Sequence, residues 1–258
     1  MAESSDTITF LGTAGARFVV IRQFLASGGA WLSLGDTEIL FDPGPGCLVQ
    51  AAKRKLDPAK LDAIILSHRH LDHSGDINVM IEAMTNGGTE KRGTVFAPAD
   101  ALDQDPVILS YLRSYLQSIQ VLTEGGSYEV NDVSFKTPVR HKHQVETYGF
   151  VFQTPRHTFS WITDTRYFDD LASSYEGDLL VINVVRLKPG APLNHLSLPE
   201  VKSIIEELRP KTAILTHFGM TMWRAKPWEL AERLTQETGV TVVAARDGMK
   251  FDLAQLQM

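Results

Sequence analysis

Four side chains able to bind divalent cations fall within six positions in His68-Arg69-His70-Leu71-Asp72-His73. Imidazole nitrogens and carboxylate oxygens are the donors that zinc and similar borderline ions accept, so no thiolate is needed. None could be clustered in any case, because Cys47 is the only cysteine, which also excludes an intramolecular disulfide. The run directly follows Ala63-Ile64-Ile65-Leu66, an apolar stretch that reads as a buried strand. A strand end at this point would project the four side chains into one cleft. Asp164 and His217 also stand at the ends of apolar stretches, Trp161-Ile162-Thr163 and Ile214-Leu215-Thr216.

The elements that must hold these residues are mostly short apolar or alternating runs. In the first half, Thr7-Leu11, Trp31-Leu34, Glu38-Phe41, Ala63-Leu66 and Thr94-Ala97 read as strands. In the second half, Val133-Thr137, Tyr148-Gln153, His157-Thr163, Asp178-Val184, Thr212-Thr216, Val240-Ala244 and Met249-Leu253 do so, with Arg246-Asp247-Gly248 as a turn before the last. Leu198, Val201, Ile204, Ile205 and Leu208 form a helical apolar face, with Ser197 and Glu200 at capping-box spacing and Pro210 beyond its end. A further helix fits Pro227 to Thr238 and ends at Gly239. Two strand-rich halves with intervening helices imply an α/β protein, a four-layer αββα sandwich. With no linker or repeat, residues 1–258 read as one domain, and 43% hydrophobic content supplies a sizeable core.

A net charge of -6 excludes a surface coated for non-specific nucleic-acid binding. The opening MAESSDTITF lacks a basic segment followed by an apolar stretch, and no later run reaches the roughly 18 apolar residues of a membrane span. A cytoplasmic protein without membrane association is the expectation.

The run from Ser67 to His73 resembles the signature of the metallo-β-lactamase superfamily, and further matches follow in order over nearly the whole chain. Glu38-Ile39-Leu40-Phe41-Asp42-Pro43-Gly44 resembles the family strand that ends in an aspartate, implying that Asp42 orients a ligand histidine and belongs to the catalytic set with Asp72. His143, six residues before Gly149-Phe150, is similar to the ligand of the third motif. His141 is the alternative, since an extended segment would turn both rings to one face, and it is otherwise expected among the substrate contacts. Asp164 and His217 resemble the bridging aspartate and the closing histidine. By this resemblance one ion takes His68, His70 and His143, the other takes Asp72, His73 and His217, and Asp164 bridges them. Zinc is the first expectation for both, with manganese and iron as alternatives. Two such ions would share a water and make hydroxide available as the nucleophile. His157 matches no motif and reads as structural.

Asp164 disfavours a lactamase, because zinc β-lactamases of this fold generally lack a carboxylate there. His195 in Asn194-His195-Leu196-Ser197 resembles the phosphodiesterase histidine that contacts phosphate, and is expected both to bind substrate and to protonate the leaving oxygen. The helix start just beyond it would favour an anion. Arg17 closes Phe10-Leu11-Gly12-Thr13-Ala14-Gly15-Ala16-Arg17, which resembles the opening strand and loop of ribonuclease Z and related phosphodiesterases, and is a further expected substrate contact. Arg69, Arg140, Lys142, Arg166, Arg186, Lys188, Arg224 and Lys226 lie near these motifs and suit a phosphorylated substrate. Only 21 steps separate His143 from Asp164, too few for the long protruding arm that the transfer-RNA-processing ribonuclease Z carries between these motifs.

The expectation is therefore a phosphodiesterase for a small anionic, cyclic or linear phosphodiester, with long nucleic acid disfavoured and a homodimer compatible. Two alternatives stay open. A thioester hydrolase of the hydroxyacylglutathione type fits the ligands, although Ile162-Thr163-Asp164 lacks the glycine usual before that aspartate. The other is a non-catalytic, metal-dependent regulatory scaffold.

Overall fold

A computed structural model describes residues 6–190 and 194–257. The first six strands are β1 (Thr7–Phe10), β2 (Ala30–Leu34), β3 (Thr37–Phe41), β4 (Ala63–Ile65), β5 (Thr94–Ala97) and β6 (Ser118–Val121). They form one sheet in chain order. The next seven are β7 (Gly126–Val130), β8 (Val133–Thr137), β9 (Phe150–Gln153), β10 (Thr158–Ile162), β11 (Leu179–Asn183), β12 (Thr212–Thr216) and β13 (Thr241–Ala244), and they form the second sheet, also in chain order. The last strand, β14 (Lys250–Asp252), returns to the first sheet and pairs with β1.

In each sheet a hairpin-built antiparallel part gives way to parallel strands: β3 to β6 in the first, β10 to β13 in the second. The sheets face each other across a core that includes Phe41, Phe96, Phe135, Phe150, Phe152, Phe159 and Trp161. Helices α1 (Ala16–Arg22), α2 (Cys47–Lys53), α3 (Leu71–Ser74) and α4 (Ile77–Met84) belong to the first half. The second half contributes α5 (Leu198–Leu208), α6 (Met220–Arg224) and α7 (Pro227–Thr238). Cys47 and Ala51 of α2, with Ile77, Met80, Ile81 and Met84 of α4, cover the outer face of the first sheet. Val201, Ile204 and Ile205 of α5 with Leu230 and Leu234 of α7 cover the second. The result is the expected four-layer αββα order.

The strands and both long helices lie where the apolar patterns put them, and α7 stops at Gly239, whose φ of 71° is the left-handed conformation that glycine adopts freely. Two strands are additional. Both, β6 and β7, are the outermost strands of their sheets, and an edge strand need not be apolar on both faces. No helix among the described residues is long and apolar enough to cross a membrane.

Candidate metal centre

Parallel pairing places the carboxyl ends of β3, β4, β10, β11 and β12 at one edge of the sandwich, where open α/β sheets commonly build sites. Asp42 follows β3, the His68 to His73 run follows β4, Asp164 follows β10 and His217 follows β12. His143 arrives from the connection between β8 and β9, and His195 from that between β11 and α5. Asp42 and His217 have φ of 48° and 59°, a left-handed backbone that side chains other than glycine adopt at a cost. Such turns aim both side chains inward. Gly44 shows how tightly the loops close, because a Cβ there would strike the backbone carbonyls of Ser27 and Asp72.

Donor atoms converge in four overlapping triads, each within 4.8 Å: His68, His70 and His143; His68, His73 and Asp164; Asp72, His73 and His217; His143, Asp164 and His195. The outward nitrogens of three rings are already engaged. His68 Nδ1 lies 3.0 Å from Ser67 Oγ, His73 Nδ1 is 2.8 Å from Asp42 Oδ2, and His143 Nδ1–H donates to the Asn194 carbonyl at 2.9 Å. Asp42 also accepts from the Ser67 amide at 2.6 Å and its hydroxyl at 2.7 Å, so one carboxylate fixes both ends of the ligand loop. These contacts leave Nε2 of each ring facing inward.

A divalent cation fits what remains. Nε2 of His68 and His73, Nδ1 of His195 and both nitrogens of His217 are buried with no partner in hydrogen-bond geometry among the described residues. Each such atom costs about 1–3 kcal/mol unless something satisfies it. His143 Nε2 lies 3.1 Å from His70 Nδ1. Without metal one proton can sit between those nitrogens, and an ion would displace it to use both lone pairs.

The electrostatics favour the protonation state that ligation requires. Burial and the neighbouring His73 hold His68 well below the ordinary imidazole pKa, and burial lowers His70, His143 and His195. For Asp164 burial pushes upward, but His217 and His195 outweigh it and hold the carboxyl well below the usual carboxylate range. Asp72 is held low in the same way by His73 and His217. His73 goes the other way: burial lowers its pKa, but Asp42 and Asp72 raise it well above normal. A strongly basic imidazole is one that a cation can occupy in the proton's place.

A family profile described as the beta-lactamase superfamily domain matches residues 37–218, which span β3, the ligand loop and the turn at His217. The chain belongs to the metallo-β-lactamase superfamily. Protein MJ1374 of Methanocaldococcus jannaschii is 30% identical over 95% of this chain and 94% of its own length. The ribonuclease Z of Pediococcus pentosaceus is 25% identical over 61% of this chain, a match that spans 52% of that protein. Among solved structures, the metallo-β-lactamase fold protein YhfI of Bacillus subtilis superposes with a TM-score of 0.80 at 21% identity, covering 96% of this chain and all of that one. This is a superfamily of metal-dependent hydrolases.

Within this metallo-β-lactamase scaffold, several expected site residues take other places. The segment around His141 is not extended: His143 N–H bonds the His141 carbonyl at 3.2 Å, so the two rings do not share a face. His141 is buried, 3% exposed. Tyr175 O–H donates to its Nε2 at 2.6 Å, and its Nδ1–H faces Thr163 Oγ1 at 3.1 Å and the Asp164 carbonyl at 3.3 Å. Asp42 sits behind His73, its carboxylate bonded to that ring and to Ser67. Arg17 is exposed on α1, whose start adjoins His217, since a Cβ on Gly15 would strike that residue. Arg69 pairs with Asp105, Lys226 with Glu229, and Arg186 with the His195 carbonyl, so part of the expected basic rim is spent on loop structure. The start of α5 is likewise closed to anions. Ser197 N–H bonds Glu200, Leu198 N–H bonds the Arg186 carbonyl, and Pro199 has no N–H.

One residue that carried no signal of its own stands beside the cluster. Asn183 Nδ2 donates to Asp164 Oδ1 at 2.9 Å. Its trace in the sequence is a single amide at the end of Leu179-Leu180-Val181-Ile182, a run otherwise wholly apolar and buried.

Burial pushes the His141 pKa down to about 3, whereas an imidazole in an unfolded chain titrates near 6.5, roughly. As pH falls the unfolded state takes up this proton first, so folding loses stability between those two values. His141→Asn in metal-free protein is expected to flatten the fall of Tm with acidification over that range. An unchanged slope would show that His141 is not held neutral.

Proposed function

We propose that this protein is a binuclear metal-dependent phosphodiesterase acting on a small cyclic or linear phosphodiester. His68, His70 and His143 would hold one divalent ion, Asp72, His73 and His217 the other, and Asp164 both, with zinc the best match to the donor set. When bound, such a pair polarises a phosphoryl oxygen and supplies hydroxide near neutral pH. The observation that carries the phosphodiester reading is His195. Its Nδ1 lies 3.4 Å from Asp164 Oδ2 and its ring centroid 5.1 Å from that of His143, so it stands at the ligand cluster without being needed to complete it.

Burial lowers the His195 pKa and the Asp164 carboxylate opposes that shift. An arriving phosphate would add a second anion beside the ring and favour uptake of a proton with the substrate. With Nδ1 turned toward Asp164 Oδ2, His195 can give that proton from its other nitrogen to the departing oxygen. Arg186, bonded to the His195 carbonyl at 2.7 Å, keeps the loop in place.

The segment between His143 and Asp164 supports a small substrate. It is occupied by the β9–β10 hairpin, closed by Thr154 N–H to the His157 carbonyl at 2.9 Å, leaving no length for an arm. The relative named ribonuclease Z cleaves phosphodiesters in RNA by its name, which agrees with the chemistry if not the size. Zinc- or manganese-loaded protein is expected to turn over bis(p-nitrophenyl) phosphate and 2′,3′-cyclic nucleotides and to leave hydroxyacyl-glutathione thioesters intact. Protein carrying two ions and inert toward every phosphodiester, or active on the thioester alone, would refute the reading.

A further inference from the structure

Asn183 is polar in a strand where every other residue is apolar, and only 5% of it is exposed. A buried amide is tolerated when all its strong hydrogen-bonding groups are used. Here both ends are. Trp161 Nε1 lies 3.4 Å from Asn183 Oδ1, and Asn183 Nδ2 lies 2.9 Å from Asp164 Oδ1. The orientation of the amide follows from its neighbours: an indole N–H can only donate and a carboxylate can only accept. Trp161 is itself buried, stacked on Phe41 with centroids 4.5 Å apart and packed against Phe10 at 5.9 Å. Hydrogen bonds thus run from this core indole through the amide to the carboxylate.

The two oxygens of Asp164 have different surroundings. Oδ1 accepts from Asn183 and faces His217 Nδ1 at 3.2 Å. Oδ2 faces His195 Nδ1 at 3.4 Å, His73 Nε2 at 3.5 Å and His68 Nε2 at 3.9 Å, the last two drawn one from each proposed ligand set. Free rotation of the carboxylate would let the oxygens exchange, and a bridging ligand that can turn holds two ions less firmly than one that cannot.

We propose that Asn183 is the positioning residue for Asp164, tying Oδ1 to β11 and keeping Oδ2 turned toward the His68 and His73 nitrogens that would hold the two ions. This rests on the two-ion reading above. Asn183→Leu removes the donor at nearly constant volume. Asn183→Asp places a second carboxylate against the first. Trp161→Phe keeps the amide but frees its orientation.

The test is metal binding, read by zinc per chain after gel filtration, by competition with a chromophoric chelator, and by the ligand-field spectrum of cobalt-substituted protein. Wild type is expected to hold two ions. Asn183→Leu is expected to fold but to bind the weaker ion about 10- to 100-fold less tightly, the range typical of lost partners to metal ligands. Its cobalt spectrum should shift, Asn183→Asp should lose at least as much, and Trp161→Phe should lose an intermediate amount. If Asn183→Leu does not fold, Trp161→Phe carries the test. Two ions bound with wild-type affinity and an unaltered cobalt spectrum in a folded variant would overturn the proposal. Fewer than two ions in wild type would instead overturn the two-ion reading, and this assignment with it.

Discussion

Asp164→Ala is expected to lower bound metal from two ions per chain to at most one, and to reduce hydrolysis by about 10²- to 10⁴-fold, the scale of losing a charge that organises a reaction centre. Among the described residues, Asp164 is the carboxylate whose oxygens face imidazoles of both proposed ligand sets. Its oxygens lie within 3.9 Å of four imidazoles, and it is 2% exposed. Without it the cluster retains Asp72 as its inward carboxylate, against up to four positive charges from two divalent ions. Elemental analysis and the rise of Tm on adding zinc report this independently of any substrate, because a ligand that binds only the folded state stabilises it in proportion to its binding free energy. Two ions retained, with the Tm response of wild type, would show that Asp164 does not bridge.

Much of this centre is legible in the sequence because each contributor except His143 and His195 ends an apolar strand. Asp42, the His68 to His73 run, Asp164 and His217 all occupy such ends, and parallel pairing brings those ends to one edge. Where side-chain direction depends on a loop, the sequence is silent. His141 and His143 differ by two positions, which would align them in a strand, but the turn between them sends one ring into the core and the other to the cluster. The capping box before α5 is readable from Ser197 and Glu200, while the consumption of the helix's first amides by that box and by Arg186 is not.

The fold divides in the same way. Strands buried on both faces, such as β11 and β12, announce themselves as continuous apolar runs. The edge strands β6 and β7 do not, and β6 is half exposed along its length. Helix α4 carries Ile77, Met80, Ile81 and Met84 at helical spacing, whereas α1 turns Phe18 and Ile21 to solvent, so no buried stripe marks it.

His195→Ala is expected to leave two ions bound, since His195 belongs to neither proposed ligand set, and to slow hydrolysis according to the leaving group. For a substrate whose departing oxygen is a poor leaving group, such as a 2′,3′-cyclic nucleotide, loss of the proton donor is expected to cost about 10²- to 10⁴-fold in kcat. For bis(p-nitrophenyl) phosphate the departing phenolate is stable without a proton, and the loss should be under about tenfold. The pH profile adds a second sign. A donor must be protonated, so wild-type kcat on the cyclic nucleotide should fall as pH rises through the His195 pKa in the substrate complex, and the variant should lose that limb. Equal losses on both substrates would mean that His195 acts on phosphate binding or on Asp164, 3.4 Å away. In that case KM would rise with both substrates and the alkaline limb would persist. The ratio of the two losses therefore distinguishes proton donation from anchoring.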